Sequence, residues 1–134
     1  METIFPQAGT YGSYSRAEAV EDGMLVDVTA EASETGFRIP VALTAAAWGG
    51  CVAWDDADSH RQTYQDERGR LHDVLWMAHL AARAARGGSE TLFSLYRVPR
   101  GGRGIKPRLV TLKLTIGPGD AGEPVVTIML PSED

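Results

Sequence analysis

Residues 109–116 read Leu-Val-Thr-Leu-Lys-Leu-Thr-Ile, and this stretch decides the fold class. Apolar residues alternate with two threonines and a lysine, a pattern typical of a β-strand with one apolar face and one polar face. Two further strand-like segments flank it, at 92–98 and 125–130. The sequence therefore predicts an antiparallel three-stranded meander in the C-terminal third, with one face exposed to water.

The strongest helical pattern of the chain precedes these strands, at residues 71–86. Leu71, Val74, Leu75 and Ala78 recur at helical spacing, no proline interrupts them, and two glycines follow Arg86. We expect this long central helix to cover the apolar face of the meander, which makes the protein α+β.

Short helices and strands alternate in the N-terminal half. Ser15 and Glu18 form a capping-box pattern for a first helix, and 24–28 reads as a short buried strand. Thr29 and Thr44 are the predicted N-caps of two further helices. The N-terminal half is therefore predicted to be mainly helical.

Two segments of this half carry weaker signals. Residues 37–43 are apolar around Pro40, which predicts a connector or an edge strand, because a proline cannot donate to a central ladder. Residues 55–69 are polar and are predicted to form a surface loop with one turn of helix at most.

Length and composition predict one domain. The chain has 134 residues, of which 43% are hydrophobic and 23% charged, so residues 1–134 can bury a core without disulfides. We expect a flexible arm at 1–12 and a tail at 131–134. The single Cys51 cannot form an internal disulfide, and neither a signal peptide nor a membrane span is evident. These features predict a cytoplasmic protein without a membrane partner.

Charge is unevenly distributed along the chain. The net charge of −5 divides into −8 for residues 1–60, +7 for residues 61–113 and −4 for residues 114–134. Such a dipolar chain can attract a polyanion to one side, or its two halves can neutralise each other. Eleven of the thirteen basic residues are arginines, which a GC-rich genome explains as well as anion binding does.

The cationic segment, residues 97–108, is the most distinctive feature for function. It reads Arg-Val-Pro-Arg-Gly-Gly-Arg-Gly-Ile-Lys-Pro-Arg and connects two predicted strands as an exposed loop. Its cations would neutralise the phosphates of a nucleic acid or of a nucleoprotein complex. Two arginines at the helix end complete the predicted binding set: Arg83, Arg86, Arg97, Arg100, Arg103, Lys106 and Arg108. The alternative is a merely soluble loop that lies against the acidic half.

Catalysis and metal binding find less support in the sequence. A small-molecule enzyme would place a polar pocket between the Asp22 to Asp27 segment and the Trp76 and His79 face of the long helix. Cys51 lies between apolar neighbours and reads as a small buried hydrophobe. The carboxylates at 55–58 lack the EF-hand pattern. The sequence therefore predicts a non-catalytic protein without cofactor or metal.

A third possibility is a protein-binding module. In that case Leu43, Trp48 and Trp54 would form an exposed apolar patch, because large exposed apolar patches mark interaction sites. A protein partner is therefore an alternative to a nucleic acid.

Four segments resemble an uncharacterised family of small bacterial proteins that is frequent on plasmids and other mobile elements. They are residues 14–28, 37–44, 69–77 and 117–130, and together they extend over most of the chain. The resemblance implies no activity and no catalytic residues. It does imply a context in which accessory proteins handle DNA or disarm host defence, for example by inhibiting a CRISPR or restriction complex.

Overall fold

The computed structural model describes residues 14–134, so the arm predicted at 1–12 lies outside the described residues. The described chain forms five helices and five strands. They are α1 (Arg16–Glu21), β1 (Leu25–Asp27), α2 (Thr29–Glu34), β2 (Val41–Thr44), α3 (Ala45–Cys51), α4 (Asp56–Arg61), α5 (Glu67–Ala84), β3 (Glu90–Arg97), β4 (Arg108–Pro118) and β5 (Pro124–Met129). The α+β character expected from the sequence is confirmed.

All five strands belong to one mixed sheet in the order β1-β2-β5-β4-β3. Strand β4 pairs antiparallel with both β3 and β5, and β1 pairs antiparallel with β2, whereas β2 and β5 are parallel. The prediction of a three-stranded antiparallel meander is therefore wrong. The C-terminal strands do not form a sheet of their own, because β5 has a second neighbour from the N-terminal half.

Pro40 explains why the sequence misplaced β2. The proline precedes the strand, so its missing amide costs the ladder nothing, and its carbonyl oxygen accepts the amide of Val126 at 2.8 Å. Val41, Ala42 and Leu43 are fully buried between β1 and β5. The segment is thus an interior strand and not a connector or an edge.

The long helix also differs from the expectation. Helix α5 begins at Glu67, where Asp66 accepts the amide of Gly69, and it ends at Ala84. It contacts β3 at one edge of the sheet and packs beside α2 and α3, which share the covering of the apolar face. The core between these layers is built from both halves of the chain and includes Leu43, Leu75 and Leu112.

Two of the three predicted N-caps are present. Thr29 does not cap α2: it is the first residue of that helix, Val28 occupies the cap position without a side-chain bond, and the Thr29 hydroxyl donates to Asp27 at 2.6 Å. Ser15 and Glu18 make the reciprocal bonds of a capping box, and Thr44 accepts the amide of Ala47 at 3.1 Å. At the other terminus, the carboxylate of Glu133 accepts the Thr44 hydroxyl at 2.7 Å and the Leu130 amide at 2.8 Å. Between residues 14 and 134, no helix combines the length and the apolar character needed to cross a membrane.

Candidate nucleic-acid interface

Helix α4 lies where the sequence predicts a surface loop with one turn of helix at most, and it holds the cationic segment in place. Asp55 caps the helix and accepts the amide of Asp58 at 2.9 Å, while the Asp58 carboxylate accepts the amide of Asp55 at 2.8 Å. This reciprocal pair satisfies amide donors that a helix start otherwise leaves open. The Asp-x-x-Asp spacing of 55–58 was the signal in the sequence that could have revealed the helix.

Asp58 binds two cations at once. Its side chain is buried and accepts hydrogen bonds from Arg61 and, at 2.8 Å, from the Nε of Arg100. Burial alone would raise the pKa of Asp58, but the hydrogen bonds from the Asp55 amide, Arg61 and Arg100 outweigh it and lower that pKa below its usual value. Arg100 also contacts Asp55 at 3.2 Å. Arg100 is therefore committed to an internal ion pair.

Arg97 is also held by internal bonds, and it is more deeply buried than Arg100. Only 6% of its surface is exposed, and its guanidinium donates to the carbonyl oxygens of Cys51 at 3.1 Å and Arg70 at 3.2 Å. A third bond, at 2.8 Å, joins it to the carboxylate of Asp73. The side chain lies on the covered face of the sheet, so Arg97 supports the fold and does not face solvent.

A second buried arginine, Arg70, supports the start of the loop. It donates to the carbonyl oxygens of Val52 at 2.9 Å and Val98 at 3.1 Å, and its guanidinium lies 4.6 Å from the ring centre of Trp54. Burial lowers the pKa of Arg70 to about 10, and the nearby charge of Arg97 adds to the shift. Arg70 was not among the predicted site residues, because its position within a polar first turn gave no sign of burial.

Gln62 holds the tip of the loop. Its amide nitrogen donates to the carbonyl oxygens of Pro99 at 2.8 Å and Gly104 at 2.7 Å, and its amide oxygen accepts the backbone N–H of Gly101 at 2.9 Å. Arg61 adds a bond to the carbonyl oxygen of Gly102 at 3.0 Å. Both Gly101 and Gly102 have positive φ, so the turn between these bonds needs residues without a Cβ. The loop is held in one shape from within the protein.

The remaining three residues of the segment, Arg103, Lys106 and Arg108, are the outer cations. All three are exposed, and they line one depression of about 460 Å³ together with Ile105 and the backbone of the turn. No carboxylate within residues 14–134 forms an ion pair with any of them. The arrangement offers an exposed positive surface on a shaped loop, which suits an anion with several charged groups.

Arg83 and Arg86 lie elsewhere. Both are exposed, Arg83 in the last turn of α5 and Arg86 just after it, near the start of β3, whereas the cationic segment begins at the other end of β3, at Arg97. Strand β3 spans about 23 Å, and Arg83 lies ten helical residues, about 15 Å, from Asp73, which binds Arg97. The structure therefore does not bring Arg83 and Arg86 together with the outer cations.

The residues considered for an enzyme site are also apart. Asp27 lines a depression with Arg16 and Asp120 near β1, whereas Trp76 lines a different one beside β3, at the opposite edge of the sheet. His79 packs edge-on against Phe37, with ring centres 5.4 Å apart. Cys51 is buried, and this burial raises the pKa of its thiol. In the described part of the chain, no group of three metal-binding side chains converges.

The apolar patch considered for a protein partner is not exposed. Leu43 and Trp54 belong to the buried interior, and Trp48 is half-buried against the core. Trp48 lines a surface depression together with Glu31, Glu34 and Glu67.

Comparison with known proteins gives a family without an activity. No curated protein and no solved structure matches the chain. Residues 1–134 match the Family of unknown function (DUF6573), which extends over the whole chain, and the protein belongs to that family.

Proposed function

We propose that this protein acts in the cytoplasm by binding a nucleic acid through the outer cations Arg103, Lys106 and Arg108. One observation carries the proposal: these three exposed cations surround a single depression, and residues 14–134 supply no carboxylate to neutralise them. A phosphate backbone presents repeated charges that such a surface can contact together.

The fixed shape of the loop supports the same proposal. Gln62 and Arg61 already order the turn, so a ligand does not need to supply the free energy for ordering it. Two glycines with positive φ and a third at Gly104 leave the backbone uncovered, which allows a sugar-phosphate chain to approach closely.

The structure also revises the strength of binding that the sequence predicts. Each phosphate contact contributes about 0.9 to the slope of log affinity against log salt on duplex DNA, so five cations would give about −4.5. Because Arg97 and Arg100 are paired internally, we expect three contacts and a slope of about −2.7. The proposed interaction is therefore weaker and less salt-sensitive than the sequence alone indicates.

The test is binding of labelled single- and double-stranded DNA and RNA over a salt series. The variant Arg103→Ala, Lys106→Ala, Arg108→Ala should lose most of the salt dependence. The matched control, Arg83→Ala with Arg86→Ala, also removes exposed arginines but lies at the opposite end of β3 from the cationic segment, and it should bind like the native protein. Absence of binding at low salt, or equal slopes for both variants, would reject the proposal.

A nucleoprotein complex is the more specific form of this proposal. The acidic residues 1–60, with a charge of −8, suit the basic protein component of such a complex, while the outer cations suit its nucleic acid. On a plasmid or another mobile element, such a protein would serve as an anti-defence inhibitor. The test is the cleavage rate of a CRISPR or restriction complex with the native protein and with the triple variant; equal rates without and with native protein would reject this form.

A further inference from the structure

We propose that a second copy of this chain pairs with the outer edge of β3, so that two sheets join across a two-fold axis. This surface is separate from the outer cations, and the inference does not depend on the proposed function. Within the described ranges, β3 is the last strand of the sheet and no other strand pairs with its outer edge. An unpaired edge of eight residues is a template for another strand.

The hydrogen-bonding pattern between β3 and β4 shows which residues of β3 direct their backbone N–H and C=O groups to the outer edge. The amide of Ile116 donates to the carbonyl oxygen of Ser89 at 2.8 Å, so these opposed residues form a hydrogen-bonded pair with β4. In an antiparallel ladder, hydrogen-bonded pairs alternate with pairs whose N–H and C=O groups point the other way. Glu90, Leu92, Ser94 and Tyr96 therefore present their backbone donors and acceptors at the outer edge.

Of the four residues that face this edge, Leu92 and Tyr96 carry large apolar side chains, Ser94 lies between them, and Glu90 at the start of the strand is the charged one. Leu92 is 58% exposed and Tyr96 is 66% exposed on the outer face of the sheet, and no charged residue lies between Thr91 and Tyr96. On the other face, α5 contributes Trp76 and Leu80, which are 46% and 42% exposed. Natural edge strands usually carry a lysine, a proline or a bulge that discourages pairing.

One register matches these side chains to their own copy. An antiparallel pairing centred on Ser94 places Leu92 opposite Tyr96 of the second copy, and the symmetry repeats this contact on the other side of Ser94. Opposed residues of an antiparallel pair point to the same face, so the two exposed apolar side chains meet. In this register Leu92, Ser94 and Tyr96, whose backbone groups all face the edge, pair with the same three residues of the second copy.

The exposed face of α5 beside β3 also carries side chains that match those of the same face on a second copy. Asp73, Trp76, Leu80 and Arg83 lie on one side of the helix and are arranged symmetrically about Ala78. When two copies of α5 run antiparallel, with the two-fold axis at the level of Ala78, Asp73 lies near Arg83 of the second copy. Trp76 then lies near Leu80 of the second copy. The side chain of Asp73 is 62% exposed despite its bond to Arg97, so it can accept a second cation.

The two centres lie at nearly the same height in the molecule. The ion pair between Asp73 and Arg97 fixes the helix against the strand at one level. From there, five helical residues rise about 7.5 Å to Ala78, and three strand residues run about 10 Å back to Ser94, so the two centres agree to about 2.5 Å. A single two-fold axis therefore serves the sheet and the helix layer together. This agreement is the reason for choosing a second copy over a foreign strand.

The first test is sedimentation equilibrium of the native chain and of Leu92→Lys. The native protein should dimerise, and a lysine at the edge should weaken the dimer about 100-fold, because two copies of the charge replace two buried apolar contacts. Leu109→Lys is the matched control: this leucine is 60% exposed on the same face of β4 but not at the edge, and its change should leave the dimer intact. A native protein that stays monomeric at every concentration overturns the proposal.

The second test identifies the axis and the partner. In the proposed register the two Ser94 residues form a hydrogen-bonded pair with Cα atoms about 5.5 Å apart, within the range of a disulfide. Mild oxidation of Ser94→Cys should give a covalent dimer on a non-reducing gel, whereas Thr111→Cys, its exposed neighbour on β4, should not. Buried Cys51 does not compete. Failure of the Ser94→Cys variant to cross-link, or equal cross-linking of the control, overturns the proposal.

The helix contact has its own matched pair of variants. Arg83→Glu places a carboxylate near Asp73 of the second copy and should weaken the dimer about tenfold, since like charges repel there. Arg86→Glu makes the same change of charge outside the face and should have little effect. Equal effects of the two variants would exclude the proposed helix contact and with it the common axis.

Discussion

The two halves of the cationic segment contain the same kinds of residue and do different things. Arg97 and Arg100 are held by Asp73 and Asp58, whereas Arg103 and Lys106 have no acidic partner among residues 14–134. Both halves also contain glycine and proline, so local composition does not show which cations are paired. The difference comes from carboxylates far away in the sequence. Counting the cations of a segment therefore overestimates the number that can bind a ligand, unless their internal partners are also known.

The largest loss of stability among the variants that test this comparison is expected from Arg97→Ala. The carbonyl oxygens of Cys51 and Arg70 lose their donor, and a cavity opens beside them. We expect the free energy of unfolding to fall by about 2–4 kcal/mol, as measured by urea denaturation. Arg108→Ala should change it by less than about 0.5 kcal/mol. Similar losses for the two variants would contradict the division of the segment.

The second largest loss of unfolding free energy is expected from Asp58→Asn, and the size of this loss should depend on pH. Hydrogen bonds lower the pKa of Asp58 below its usual value of 3.8, so the folded state favours the ionised carboxylate. This contribution is complete above pH 3.8 and is lost as the pH falls through the lower, folded-state pKa. The difference in unfolding free energy between native protein and variant should therefore be constant near neutral pH and shrink in acid. A difference that grows in acid would contradict this sign.

Arg100→Ala should cost less, because Asp58 keeps its bond to Arg61. We expect a loss of about 1–2 kcal/mol, somewhat less than is usual for a hydrogen bond to a charged group, because the Arg100 side chain is 38% exposed and water weakens its ion pair. The matched variant Arg103→Ala, three residues along the same loop, should leave the thermal midpoint almost unchanged. Thermal unfolding of the two single variants makes the comparison directly. An Arg103→Ala variant as unstable as Arg100→Ala would show that Arg103 also has an internal role.

Gln62→Ala should have the smallest effect on stability, below about 1 kcal/mol, because only the loop loses its bonds. The amides of the turn should exchange faster with solvent, and affinity for a nucleic acid should fall less than tenfold because the loop must be ordered on binding. The salt slope should stay the same, since the outer cations remain. A reduced slope would mean that Gln62 positions the cations themselves.

Local signals in the sequence located much of the fold. The alternation in β4 and the caps at Ser15 and Thr44 depend on residues within a few positions of each other, and all three predictions hold. The pairing of β2 with β5 depends on residues 41–43 and 126–128, which no local pattern connects. The sheet was therefore predicted too small, although its C-terminal strands were placed correctly.

The candidate site shows the same limit more sharply. The cationic segment was evident, but the separation of paired from outer cations depends on Asp58, Gln62 and Asp73. These lie between 24 and 42 residues away from the atoms that they bind. The distance between Arg83 and the loop likewise follows from the direction in which α5 and β3 run. Only the capping pattern of 55–58 carried a local clue to this arrangement.

The end of α5 has a consequence for the evolution of the family. Arg86 adopts a φ of 52°, a left-handed conformation that costs a residue with a Cβ about 1 kcal/mol. A glycine or an asparagine would adopt it more easily, so the backbone alone gives no reason to keep an arginine here. If other members of the family carry glycine or asparagine at this position, drift explains the residue. If they carry arginine or lysine, selection has maintained a positive charge against a conformational disadvantage.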